Sequence, residues 1–177
     1  MKILGIDQSY TNSGIILLND NEVKHAELFK SNKEMDKPGR AWEIATHVGN
    51  LVEQLKPDIV AMEGLAFGMR GDATRDLAGL QFVIACILRH EHFYEVMIVS
   101  PRTVKVTATG SGKAEKMEMF ESLPKYAQSL FEDMGVKKTT GLLDLTDAYW
   151  IAKTAGDPEF KSQGFDKPKK KKRVRKK

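Results

Sequence analysis

The sequence predicts one α/β domain built on a five-stranded mixed sheet with helices on both faces, and three observations carry that expectation. Residues 3–29 read as three strands in a row with short turns, which is an antiparallel meander. Two later apolar runs, residues 58–63 and 95–100, each follow a stretch of helical period, the pattern of buried parallel strands reached through crossover helices. Finally, 177 residues with 41% apolar content suit a single core, and a domain of that size buries roughly 70% of the surface its unfolded chain exposes.

Taken in order, Ile3, Leu4 and Ile6 form the first strand and lead into Asp7. A turn-rich break over residues 8–14 precedes the apolar run 15–18, and Asn19-Asp20-Asn21 is a hairpin signal before a third strand over 22–29. Pro38 opens a helix whose apolar positions Ala41, Ile44, Ala45, Val48, Leu51, Val52 and Leu55 keep the helical period, and Pro57 closes it. The strand 58–63 ends on Glu63, and functional groups in open α/β sheets gather at such carboxyl ends. The loop 64–72 exposes Phe67 and Arg70 between glycines. The helix expected over 74–90 is apolar nearly all round, with Leu77, Ile84 and Leu88 on one side and Phe82 and Cys86 on the other. That pattern predicts cover on two faces, one by the sheet and one by a second copy of the chain. A solvated helix end accounts for His90 and His92 better than a metal site does.

Pro101 stops the strand 95–100, and residues 102–113 read as a basic, Gly/Thr-rich loop carrying Arg102, Lys105 and Lys113. Its Gly-Ser-Gly-Lys piece is no phosphate loop, because Thr107 stands where the first glycine is required and Ala114 where Ser or Thr would hold Mg²⁺. Lysines there suit nucleic-acid phosphates, and an ordinary surface loop explains them equally well. One helical segment from Ala114 to about Met134 follows, then a last helix over 142–155. Beyond Gly156 the periodicity ends, so residues 1–156 read as the domain and 157–177 as a tail, disordered from 166 onward.

The net charge of +4 hides an asymmetry. Nine of the 28 basic residues and no acid lie in 167–177, which leaves 19 basic against 24 acidic residues before them. An acidic body with a basic arm fits a metal-binding centre joined to a polyanion-binding segment, and the arm also resembles a nuclear-import signal. Cys86 is the only cysteine, which excludes an internal disulfide and a Cys-rich zinc site. With no signal peptide and no membrane-length apolar run, the chain reads as soluble and cytoplasmic.

Asp144 and Asp147 stand three apart on an otherwise apolar helix, so both carboxylates emerge on one face. Like charges in an apolar setting are costly unless a cation neutralises them. Asp7 and Glu63 at strand ends bring the set to four acids with no His or Cys cluster. Oxygen-only donors select Mg²⁺ or Mn²⁺, and two such ions about 3.5–4 Å apart support in-line phosphodiester hydrolysis.

Gly5-Ile6-Asp7, Ala61-Met62-Glu63, Val104-Lys105 with Ala114-Glu115-Lys116, and Asp144-Leu145-Thr146-Asp147-Ala148 together resemble the RuvC family of Holliday-junction resolvases, in the RNase H-like superfamily, and a phage-type member of it. The resemblance implies a homodimer that cuts four-way junctions and other branched DNA with paired nicks, leaving 5′-phosphate and 3′-hydroxyl ends. It makes Asp7, Glu63, Asp144 and Asp147 ligands of two Mg²⁺ or Mn²⁺ ions, with Lys105 and Lys116 at the DNA backbone beside the scissile phosphate and Lys116 counted among the catalytic residues. Phe67 would stack on an unpaired base. Gln8-Ser9 replaces the Pro-Gly of the bacterial pattern, and the aromatic follows Glu63 by one residue more. Rival readings are an RNase H-type nuclease, a branched-DNA-binding module with structural acids, and an actin-like kinase, for which 177 residues leave no room for the second domain.

Overall fold

The computed structural model describes residues 1–65, 71–137 and 140–162. Strands β1 (Lys2–Asp7), β2 (Ser13–Asn19) and β3 (Glu22–Phe29) form the antiparallel meander, and β4 (Ile59–Glu63) and β5 (Val96–Val99) extend it in parallel. The sheet order is β3-β2-β1-β4-β5, as the mixed-sheet expectation requires. Asp20 and Asn21 take left-handed backbone angles in the β2–β3 turn, which these short polar residues tolerate and a tight hairpin needs.

Side chains alternate across β1, β2 and β4, and the alternation sorts the core into two halves. Leu4, Ile6, Ile15, Leu17, Val60 and Met62 face α1 (Lys37–Leu55) and α2 (Asp72–His90). Ile3, Ile16, Leu18, Ile59 and Ala61 face the opposite layer, made of α3 (Pro101–Thr109), α4 (Lys116–Glu121), α5 (Lys125–Asp133) and α6 (Gly141–Ala155). Asp7 follows Ile3 and Gly5 in parity, and Glu63 follows Ile59 and Ala61. Both acids therefore belong to the face that α6 covers.

Helix α6 lies directly on β1 and β2, and two glycines permit it. A Cβ on Gly5 would meet the Ala148 carbonyl oxygen at 2.2 Å, and one on Gly14 would meet the Asp144 carbonyl oxygen at 2.2 Å. The outer side of α6 is covered too. Trp150 donates its indole N–H to the Met119 carbonyl at 3.0 Å, and Phe131, Tyr149 and Trp150 pack edge to face. The helix is thus a central core element, which fits its almost unbroken apolar composition.

Four expectations change. Residues 101–109 form a helix rather than a loop: Ser100 caps it by accepting from the Thr103 N–H, and Pro101 sits in its first turn. The single segment expected from Ala114 to Met134 is two helices, because Pro124 cannot continue α4 and starts α5 instead. His92 is not a solvated helix end; it is 11% exposed, with Nδ1 3.2 Å from the Glu53 carboxylate and its ring over Gly49. Residues 157–162, expected in the tail, lie on the domain: Phe160 packs against the α6 core and the Ser162 hydroxyl accepts from the Ile98 N–H at 2.9 Å. No helix among the described residues is long and apolar enough to cross a membrane.

Candidate active site

A cleft of about 440 Å³ opens at the carboxyl ends of β1 and β4, lined by Asp7, Glu63, Asp144, Asp147, Lys105 and Lys116. They enter from five elements of the fold. Asp7 is the last residue of β1, and Glu63 is the last of β4, the strand paired in parallel with β1 through Ile6 and Met62. Asp144 and Asp147 sit on the first turns of α6, held against the sheet by the Gly5 and Gly14 contacts. Lys116 begins α4, which Trp150 ties to α6, and its Nζ donates to Asp147 Oδ2 at 2.5 Å. Lys105 approaches on α3.

Buried negative charge dominates the electrostatics. Burial raises the Asp7 carboxyl well above the usual range, and the Asp147, Glu63 and Asp144 carboxylates push it further in the same direction. Glu63 is raised to about 7 by burial and then by Asp147, with Lys116 and Lys105 opposing. Asp144 is raised to about 6 by burial, with Lys116 opposing and Asp147 adding. Asp147, 6% exposed, is raised by burial against the pull of Lys116 and Lys105. Burial disfavours the Lys116 ammonium, but its hydrogen bond and attraction to Asp147 outweigh that and raise its pKa. Such a concentration of buried acids with raised pKa values makes this cleft the candidate functional site.

The strand end that carries Glu63 is clamped in a way the sequence reading did not foresee. The side-chain amides of Gln8 and Gln81, both buried, each donate to the Glu63 carbonyl oxygen at 2.7 Å. The visible signal was Gln81, a polar residue on the apolar face of α2. Gln8 Oε1 is buried with no hydrogen-bond partner among the described residues, and it adds a neutral oxygen to the lining of the cleft.

The donor set suits a hard divalent cation, since the lining offers carboxylates and an amide oxygen but no His or Cys. Among the described residues, however, no three such acids stand close enough together to hold one ion as they are. The acids ring the cleft, and the Lys116 ammonium lies against Asp147. Of the other residues singled out from the sequence, Arg102 and Lys113 are exposed on α3 and the loop after it and do not line the cleft. Phe67 and Arg70 lie outside the described residues.

An acid at the end of the first strand, a second on its parallel neighbour and a pair on the helix across them, all on a β3-β2-β1-β4-β5 sheet, place the molecule in the RNase H-like fold class. The family model for crossover junction endodeoxyribonuclease RuvC matches residues 3–129, and the chain belongs to that family. It is 32% identical over 127 residues to RuvC of Prochlorococcus marinus subsp. pastoris, covering 70% of this chain and 80% of that protein. It is 30% identical over 172 residues to RuvC of Petrotoga mobilis, covering 93% and 100%. Among solved structures, Thermus thermophilus RuvC in complex with a Holliday junction substrate superposes with a TM-score of 0.67 at 22% identity, covering 86% of this chain and 90% of that one. The family-model match ends before α6, so the placement of Asp144 and Asp147 rests on the geometry above.

Proposed function

We infer that this chain is a crossover junction endodeoxyribonuclease that resolves four-way DNA junctions, and other branched DNA, by paired phosphodiester hydrolysis. The observation that carries the reading is the convergence of Asp7, Glu63, Asp144 and Asp147 on one cleft in a member of the RuvC family. Asp7, Glu63, Asp144 and Asp147 are the residues that would hold Mg²⁺ or Mn²⁺, two ions per site. When bound, such ions lower the pKa of a water nucleophile and stabilise the leaving oxygen.

The chain's own residues do the rest. The Gln8 and Gln81 amides fix the Glu63 backbone at the cleft. Lys116, half exposed and protonated, turns from Asp147 to the scissile phosphate and offsets charge on its nonbridging oxygens. Lys105 supports the same charge from α3, and Arg102 and Lys113 contact backbone phosphates further out. Phe67 and Arg70 contact bases and backbone at the junction centre. The products carry 5′-phosphate and 3′-hydroxyl ends.

Two cuts on a two-fold symmetric substrate call for two sites, and the exposed side of α2 supports a homodimer. Phe82 is 55% exposed there, and with Ala85 and Cys86 it lines a groove edged by Arg89, His90 and Glu95. The basic segment 167–177 acts as a DNA-binding arm on a domain spanning residues 1–162. We assign the protein to the cytoplasm and to the phage-type branch of the family.

A denaturing-gel assay tests the substrate. Purified protein is given a four-way junction, a fork, a plain duplex and an RNA–DNA hybrid, each with Mg²⁺, Mn²⁺ or chelator. The expected result is metal-dependent, symmetric nicking of the junction. Cleavage confined to the hybrid would move the reading to RNase H activity.

A further inference from the structure

A second groove, of about 540 Å³, adjoins the acidic cleft and is lined by Thr11, Asn12, Lys30, Lys33, Lys137 and Thr140, with no acid among the described residues of its wall. The two share a partition. Gln8 and Ser9 line the cleft while Thr11 and Asn12, in the same turn, line the groove; Asp144 lines the cleft while Thr140 and Gly141, one helical turn earlier, line the groove. That partition is firmly built. The Ser13 hydroxyl donates to the Ser9 carbonyl and accepts from its N–H, Arg40 donates to the Tyr10 carbonyl, and Gly14 lies against the Asp144 carbonyl.

Lys30, Lys33 and Lys137 are exposed and make no ion pair or side-chain hydrogen bond among the described residues. Most other described lysines and arginines are engaged: Lys24 with Glu22, Lys37 with Asp76, Arg75 with Asp72, Arg89 with Glu95, Lys153 with Asn21. Apart from Lys56 and Lys161, the unengaged ones stand at this groove, on α3 or in the loop after it. Three like charges lining one groove with no ion-pair partner among the described residues, on a body with more acids than bases, repel one another unless an anion joins them.

We propose that Lys30, Lys33 and Lys137 bind the phosphates of a DNA strand on the far side of the partition from the scissile phosphate. The groove is then a second, sequence-independent phosphate track, opposite the α3 side of the cleft. A strand crossing the turn 8–12 has its backbone held on both sides of the cut, which orients it for in-line attack. This inference rests on the nuclease reading above and adds a substrate contact that the four-carboxylate site lacks.

The test uses the full chain, in chelator, with a fluorescent four-way junction titrated over a series of KCl concentrations. The Lys30→Gln/Lys33→Gln/Lys137→Gln variant is compared with wild type and with a Lys24→Gln/Lys56→Gln/Lys125→Gln control of equal charge change. Circular dichroism checks folding, and the single Lys137→Gln variant is carried alongside. Each lost phosphate contact lowers the slope of log K against log [salt] by about 0.9. The expected loss is about two to three in the groove variant, about one in the single variant and close to none in the control. A groove variant with the wild-type slope, or a control with the same loss, would overturn the inference alone. Wild-type protein that does not bind the junction in chelator, and does not nick it once Mn²⁺ is added, would overturn the nuclease reading with it.

Discussion

Asp7, Glu63, Asp144 and Asp147 hold their protons more tightly in the folded chain than in an unfolded one, because burial and mutual repulsion disfavour their charged forms. The consequence for stability has a definite sign. Between the ordinary carboxylate range near 4 and the folded values of about 6 for Asp144 and about 7 for Glu63, the folded state binds more protons than the unfolded one. Stability without divalent metal therefore falls as pH rises through that window. Thermal melts in chelator should show Glu63→Gln gaining on wild type from pH 5 to pH 8, with Mn²⁺ removing the difference by stabilising wild type alone. A constant gap between the two across pH would contradict this origin of the shift. Asp7 and Glu63 were legible from their positions at strand ends, and Asp144 and Asp147 from their spacing on one helix. Gln8 and Gln81 were not, because their shared acceptor is a backbone carbonyl that only tertiary packing brings to both.

Among the elements, α6 decides whether the site exists, and its height above β1 is set by Gly5. Gly5→Ala places a methyl group 2.2 Å from the Ala148 carbonyl oxygen and 2.8 Å from Ala152 Cβ. Overpacking of this kind costs about 1–3 kcal/mol. The shift of α6 also carries Asp144 and Asp147 away from Asp7, so the variant should lose Mn²⁺ affinity as well as thermal stability. Calorimetric titration of Mn²⁺ into folded variant checks this, and unchanged affinity would show that α6 is not the positioning element. The strands and long helices were readable because their apolar periods are sustained. Helix α3 was not. Its sequence, Arg102-Thr-Val-Lys-Val-Thr-Ala-Thr109, is rich in β-branched residues of modest helix propensity. The Ser100 cap and Pro101 marked its start. Pro124 likewise announced the break between α4 and α5.

For the whole molecule, the homodimer proposed above places self-association on the face of α2 turned away from the sheet. The near-continuous apolar composition of that helix pointed to a second covering face, and the structure leaves Phe82 and Cys86 exposed on it. Phe82→Asp should convert a dimer to a monomer by light scattering at micromolar concentration while the circular dichroism spectrum stays that of wild type. The variant should then make single, unpaired nicks, because two cuts in one bound junction require two joined sites. A wild-type chain that is monomeric at those concentrations would remove this element of the account.

On the reading proposed above, the four carboxylates hold the divalent metal that cleavage of the junction requires. The most direct measurement is the single-turnover rate of nicking on a four-way junction at saturating protein, with Mn²⁺, for wild type and Asp7→Asn, with binding of both measured in the same buffer. Loss of a group that only orients a metal ligand costs about 10–100-fold, so loss of a ligand itself should slow nicking by more than about 100-fold while the junction is still bound. A variant that binds and nicks at the wild-type rate would make the acids structural and contradict the account.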